Sequence, residues 1–379
     1  MPQPFVEPRY GDRSLGDVLP AIATALGVDV GFHATSLVLP PAPRYVVLLV
    51  DGLGYRLVEN HAEHAPYLHA LMGAPRNQRN QLGVAGVPST TATSLTSLGT
   101  ALTPGEHGLV GFTSRVPGTD KLLNALFWDK QVVDPLEWQP HPSAFARLRS
   151  VGVSATVVSK REFMDSGLTL SGFRGAEFAE GDKIGERIAA AVAASAESPS
   201  VTYVYDGDLD WTGHRYGVDS PQWRAQLSAV DASVEQLRES LDPAVRLVVV
   251  ADHGMVDCPA ESRIDIDEHP ELRTGVQLIG GEARFRHLYC SSRALDDVLV
   301  TWREVLGDRA EVLARDEAIE RGWFGTVIPQ VRPRLGDVVV AARGLTALIS
   351  MAGFPYENLL VGFHGSLTPE EMEIPILVC

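Results

Sequence analysis

Four stretches of the 379-residue chain carry side chains able to do chemistry. Asp51 follows a short apolar run. Pro88-Ser89-Thr90-Thr91 heads a segment rich in Thr and Ser that then turns helical. Asp210-Trp211-Thr212-Gly213-His214 sets an acid and an imidazole four residues apart. Asp252-His253-Gly254 has a distant counterpart in His364-Gly365-Ser366. Each has an ordinary structural role when taken alone: an Asp after a strand closes a turn or caps a helix, and a Thr at a helix start is an N-cap. Together they form a ligand set, because carboxylates and imidazoles are what zinc and similar divalent ions bind. Several carboxylates buried side by side without cations would repel one another and lose their hydration. A hydroxyl held among such ions loses its proton more readily and becomes a nucleophile.

The elements around these residues repeat one design. Tyr45 to Val50 (YVVLLV) reads as a parallel strand buried on both faces, ending at Asp51-Gly52-Leu53-Gly54. Val201 to Tyr205 (VTYVY) runs into Asp206, Asp208 and Asp210, and Arg246 to Ala251 (RLVVVA) into Asp252-His253-Gly254. Val151 to Ser159 is a further strand. Gly181 to Ser195 and Ser220 to Leu241 read as helices, the second with Pro221 near its start. Alternating strands and helices predict an α/β fold, a mostly parallel central sheet flanked by helices. In open sheets of that kind ligands bind outside the carboxyl ends of the strands, where three of these strands deliver acids. Residues 255–355 read as an inserted α+β cap, with a hairpin from Gly275 to Cys290 around Gly280-Gly281, a helix near Ala294 to Leu306 and a strand from Leu335 to Ala342. The core is then 1–254 and 356–379.

The order and spacing of the motifs resemble the alkaline phosphatase superfamily, and most closely its type I phosphodiesterase/nucleotide pyrophosphatase branch. The resemblance runs from about residue 44 to residue 379. It rests on VVLLVDGLG, on Pro88-Ser89-Thr90-Thr91, on Leu102-Thr103-Pro104-Gly105-Glu106-His107-Gly108, on Asp210 to His214, on Asp252-His253-Gly254 and on His364-Gly365. It implies two divalent metal ions, zinc or else manganese. Asp210, His214 and His364 would hold one; Asp51, Asp252 and His253 would hold the other, with the Thr91 oxygen as a further ligand. Thr91 is the implied nucleophile, forming a phosphothreonine intermediate. Thr90 competes for that role, but the family motif places its Thr three residues after the Pro, and the distance from Thr91 to Pro104 also agrees. Asp206 and Asp208 are rivals to Asp210, but only Asp210 has a His four residues on. The branch carries an Asn shortly after its His-Gly segment that donates to a phosphoryl oxygen. Phe112 stands there in this chain, so substrate contacts are expected from Phe112, Thr113 or Arg115.

The resemblance therefore implies metal-dependent hydrolysis of phosphate esters, with phosphodiesters or nucleotide pyrophosphates ahead of monoesters. The alternatives are a phosphomonoesterase or phosphonoacetate-type hydrolase of the same superfamily, or an inactive member that serves as a scaffold. A net charge of −16 disfavours nucleic-acid polymers and anionic membranes as partners and leaves a small phosphorylated substrate. Three scattered cysteines suggest no disulfide framework. The N-terminus has no basic stretch followed by an apolar one, so a cytoplasmic location is expected. Oligomeric state is not legible.

Overall fold

A computed structural model of the chain describes residues 4–73 and 82–379. Its central sheet is built from β1 (Arg44–Val50), β2 (Leu82–Val84), β3 (Ser154–Ser159), β4 (Glu177–Glu180), β5 (Ser200–Asp206), β6 (Val245–Val250) and a C-terminal strand, Glu373–Val378. Among the described residues the strand order is β2, C-terminal strand, β6, β1, β5, β3, β4. From β6 to β4 every neighbouring pair is parallel. The C-terminal strand runs antiparallel to both β6 and β2, so the sheet is mixed but mostly parallel. β1 sits in the middle with Tyr45 to Val50 fully buried, as its unbroken apolar run requires.

Five helices matter below: α1 (Thr91–Thr100), α2 (Ile184–Ala194), α3 (Asp208–Tyr216), α4 (Pro221–Ser240) and α5 (Leu295–Leu306). Ser220 caps α4 by accepting from the Trp223 N–H, with Pro221 in the first turn, where its missing donor costs nothing. Among the described residues no helix is long and apolar enough to cross a membrane.

Register fixes the functional edge. Val50 pairs with Asp206 and Leu49 with Val250, so the chains leaving β1 and β6 reach Asp51 and Asp252 at the same level. The Asp51 N–H donates to the Asp206 carbonyl at 2.8 Å, and the Gly52 N–H to Asp252 Oδ1 at 3.1 Å.

Residues between the core motifs form a second, antiparallel sheet of β7 (Val276–Glu282), β8 (Phe285–Cys290), β9 (Ala310–Ala314) and β10 (Val338–Ala342), in the order β7-β8-β10-β9. The hairpin is real, but its turn is Ala283-Arg284 and not Gly280-Gly281. Gly281 is taken into β7 because its backbone lies against the Phe285 carbonyl, where a Cβ would fall at 2.1 Å. β10 reads VVVAA, and its faces separate cleanly: Val339 and Ala341 join the main core, while Val338 and Val340 pack with α5 in a smaller one.

The hairpin turn also carries a buried ion pair to the body. Arg284 Nε donates to Glu371 Oε1 at 3.0 Å and Nη2 to Oε2 at 2.6 Å, with both side chains fully buried. Glu371 further accepts from the Ser366 N–H and the Thr368 hydroxyl. Removing one partner strands a buried charge. Arg284→Met is therefore expected to lower the free energy of unfolding by about 3–5 kcal/mol in urea titration; a loss below about 1 kcal/mol would show that this pair does not tie the second sheet to the body.

Candidate active site

The seven side chains of the expected ligand set converge at the carboxyl edge of the sheet. Asp51 follows β1, and Asp252-His253 follow β6. Asp210 and His214 lie one turn apart on one face of α3, which begins two residues after the end of β5. Thr91 is the first residue of α1, and His364 comes from the segment before the C-terminal strand. His253 Nε2 lies 3.4 Å from Asp51 Oδ1 and 3.5 Å from Asp252 Oδ2. His214 Nε2 is 3.4 Å from Asp210 Oδ2, and His364 Nε2 is 3.9 Å from Asp210 Oδ1. Thr91 Oγ1 lies 3.4 Å from Asp51 Oδ2 and 3.3 Å from His253 Nε2.

The three imidazoles are held alike. His214 Nδ1 faces the Gly362 carbonyl at 2.8 Å, His253 Nδ1 the Gly254 carbonyl at 2.9 Å, and His364 Nδ1 the Ser89 carbonyl at 3.0 Å. A carbonyl oxygen only accepts, so each Nδ1 carries a proton and each ring turns its other nitrogen, Nε2, into the cluster. Two of these nitrogens, on His214 and His364, lie 3.2 Å apart. Among the described residues, Asp51 Oδ1, Asp210 Oδ1 and Asp252 Oδ2 are buried with no hydrogen bond. Acceptors facing acceptors repel unless a cation lies between them, so the donor set fits divalent ions. The groups close enough to share an ion are Asp51, Asp252 and His253, and Asp210, His253 and His364, with ligand atoms within 4.8 Å of one another. His253 thus lies at the junction of the two groups, and His214 flanks the second.

Electrostatics carries the same message. Burial, then the charges of Asp252 and Asp210, push the Asp51 carboxyl well above the usual carboxylate range. Burial raises Asp252 too, against the pull of His253. Burial lowers His364 well below an ordinary histidine, and His253 and His214 add to the effect. All three shifts disfavour charge that has nothing to balance it.

The residues expected to replace the missing amide have partners of their own. Thr113 is buried and donates to the Gly281 carbonyl at 2.7 Å. Arg115 Nε donates to the Thr119 carbonyl at 2.5 Å, and its guanidinium sits 5.7 Å from the Tyr289 ring centre. Their short hairpin, Thr113–Arg115 with Leu122–Asn124, packs them against the second sheet. The Phe112 side chain is half-buried, its ring 5.9 Å from that of Tyr356.

Residues 45–367 match the family model for type I phosphodiesterase / nucleotide pyrophosphatase. The chain belongs to this family. It therefore lies within the alkaline phosphatase superfamily, as its motifs imply. Human ectonucleotide pyrophosphatase/phosphodiesterase family member 7 is 37% identical over 83 residues, 20% of this chain and 18% of that protein. GPI ethanolamine phosphate transferase 3 of Schizosaccharomyces pombe is 27% identical over 133 residues, 34% of this chain and 13% of the other. The matched stretches thus span under a fifth of these relatives' own length. Murine ectonucleotide pyrophosphatase / phosphodiesterase 5 superposes with a TM-score of 0.69 at 19% identity, covering 88% of this chain and 87% of that one. Phosphonoacetate hydrolase from Sinorhizobium meliloti 1021 does so with 0.66 at 18%, covering 89% and 90%. At such identities these structures establish the family's alkaline phosphatase-like fold.

Two residues of this family member escaped sequence reasoning. The Tyr205 hydroxyl donates to Asp51 Oδ2 at 2.6 Å; one strand residue before Asp206, it carried no motif. Glu282, the last residue of β7, is buried with Oε2 3.9 Å from His364 Nδ1. Burial pushes its carboxyl up to about 8, against the opposing effect of the Thr90 hydroxyl and the Phe112 N–H directed at it. A buried acid in a cap hairpin has no sequence signature. Tyr205→Phe keeps the ring and removes the donor that orients Asp51. It is expected to weaken zinc binding about 10–100-fold in titration calorimetry; unchanged affinity would show that Asp51 needs no such partner.

Proposed function

We propose that the protein hydrolyses phosphodiesters or nucleotide pyrophosphates with two divalent ions, zinc or manganese, and a phosphothreonine intermediate on Thr91. The observation that carries this reading is the place of Thr91 Oγ1, within 3.4 Å of Asp51 Oδ2 and 3.3 Å of His253 Nε2, where the two acid–imidazole groups join. Asp51, Asp252 and His253 would hold one ion. Asp210, His214 and His364 would hold the other, and His253 lies close to both groups. Bound there, the ions would neutralise phosphoryl oxygens and make the Thr91 hydroxyl easier to ionise.

The chain's own residues supply the rest. Asp51 accepts the Thr91 hydroxyl's hydrogen bond and aims its oxygen. The Thr91 hydroxyl gives its proton to solvent and its oxygen attacks phosphorus; the bond to the leaving oxygen breaks and that oxygen takes a proton from water; a second water then cleaves the phosphothreonine, restoring the hydroxyl. Ser94 Oγ donates to the Asp252 carbonyl at 2.8 Å, holding α1 and its first residue against the β6 end. An inactive variant of the murine ectonucleotide pyrophosphatase / phosphodiesterase 5 has been solved in complex with AMP. That supports a nucleotide-bearing substrate here.

Thr91→Ala is expected to lower turnover by about 10³-fold or more with the fold intact, Thr91→Ser to keep partial activity and Thr90→Ala to be milder. The metal-loaded protein should hold close to two ions, and chelation should abolish activity. Metal-free protein with chelator-resistant turnover would refute the reading, and a Thr91→Ala variant as active as wild type would refute the nucleophile.

A diester monoanion needs less positive charge around its oxygens than a monoester dianion. The nearest expected cation, Arg115, is engaged by Thr119 and Tyr289, and this favours diesters. In a panel of matched aryl monoester, aryl diester, nucleotide pyrophosphate and phosphonoacetate, kcat/KM for the diester is expected to exceed that for the monoester about tenfold or more. A monoester preference would move the protein to the phosphomonoesterase reading, and turnover of phosphonoacetate alone to the phosphonoacetate-type one.

A further inference from the structure

Each imidazole of the cluster has a backbone carbonyl at Nδ1, and His364 has an acid there as well. Glu282, the last residue of β7, places Oε2 3.9 Å from His364 Nδ1. The acids nearest the other two rings approach Nε2 instead, Asp210 at His214 and Asp51 and Asp252 at His253. Glu282 thus stands behind its ring, away from the nitrogen that faces the cluster, and the mechanism above makes no use of it.

Packing sets that place. A Cβ on Gly365, the residue after His364, would lie 2.9 Å from Glu282 Cγ and 3.0 Å from Cδ, so glycine leaves the acid its room. Gly365 also has a φ of +127° and is bridged to Ser89, whose N–H donates to the Gly365 carbonyl at 3.1 Å. The Ser89 carbonyl in turn accepts from His364 Nδ1 at 3.0 Å. One short segment therefore holds ring and acid in a fixed relation. Glu282 is buried, and among the described residues nothing donates to its Oε1. A separation of 3.9 Å is too long for a hydrogen bond, but in a dry site a charge at that distance is strongly felt. Burial disfavours charge on Glu282, and divalent cations across the ring would balance it.

When an imidazole binds a cation through Nε2, positive charge spreads to its Nδ1 edge, and a carboxylate behind that edge makes the ring a stronger ligand. We propose that Glu282 is a positioning residue for metal: acting through His364, it tightens the hold on the ion shared by Asp210, His214 and His364. Glu282 is not itself a ligand, since the ring stands between. The second sheet then strengthens the metal centre without contributing a donor atom to it. This rests on the reading of the cluster as a two-ion site.

The test is zinc binding by titration calorimetry, so that turnover does not enter. His364→Ala identifies the binding step that belongs to this ion. Glu282→Gln keeps the bulk on Gly365 and removes the charge; it is expected to weaken that step about 10–100-fold while the other step stays as in wild type. Glu282→Met, which also keeps the bulk, is expected to match it. In the His364→Ala background Glu282→Gln is expected to change nothing, because the ring through which it acts is gone. With cobalt in place of zinc, the visible band that His364→Ala removes is expected to move to longer wavelength in Glu282→Gln, as a weaker imidazole ligand requires. Wild-type affinity or a wild-type cobalt band in Glu282→Gln, equal weakening of both steps, an undiminished effect of Glu282→Gln without His364, or wild-type protein that takes up fewer than two ions would each overturn the proposal. The expected coupling with no hydrolysis of any ester would sustain it while removing the hydrolase reading, and two tightly bound ions with a silent Glu282→Gln would remove the proposal alone.

Discussion

Everything at the carboxyl edge of the sheet answers to one imbalance, an excess of buried electron pairs. Three carboxylate oxygens there have no hydrogen bond, and three imidazoles turn Nε2 inward because their Nδ1 protons are committed to backbone carbonyls. Desolvated acceptors repel, and the hydroxyls and N–H groups that reach the cluster leave those three oxygens unmet. The fold holds it together through elements that have no freedom to relax. β1 and β6 are buried in the middle of the sheet with their register fixed, α3 starts directly after β5, and the His364 segment is bridged to Ser89. The rigidity of the scaffold maintains the demand for positive charge, which divalent ions are able to meet.

Much of this was legible in the chain because the informative residues lie at predictable places on regular elements. Asp51 and Asp252 follow short apolar runs rich in β-branched residues, which suit a central strand. Asp210 and His214 differ by one helical turn, so a local pattern brought them together. Thr91 and His364 were legible only through the motif order, because no local rule connects a Thr at a helix start with a His 273 positions later. The residues that were missed depend on tertiary placement. Tyr205 looks like one more β-former in VTYVY, and its value lies in a register that puts its hydroxyl on Asp51. Glu282 sits in a segment read as cap, and only the packing of its hairpin on Gly365 discloses it. Thr113 and Arg115 illustrate the converse: closeness in sequence to Phe112 suggested a role, but the hairpin they form turns both toward other partners. The misplaced turn at Gly280-Gly281 has the same origin, since a close backbone approach inside a strand leaves the same glycine signature as a turn.

The second sheet is less separate than an inserted stretch of sequence suggests. It is joined to the body by the Arg284–Glu371 pair, by Glu282 on Gly365 and by the aromatic contacts of Phe285 with Trp323 and Phe324, which belong to the main core. Its hairpin reaches the carboxyl edge from outside the parallel sheet, which is how a residue from a different layer comes to lie against Gly365, bridged to Ser89.

The two-faced strand β10 has a consequence for how such a protein can change over time. Val338 to Ala341 contribute alternately to two hydrophobic cores, so neither core is complete without it. A segment shared in this way cannot be exchanged as a module, because a replacement must satisfy both neighbours at every second position. Change in this layer is then confined to the turns between its strands, while the sheet itself is inherited as part of the body.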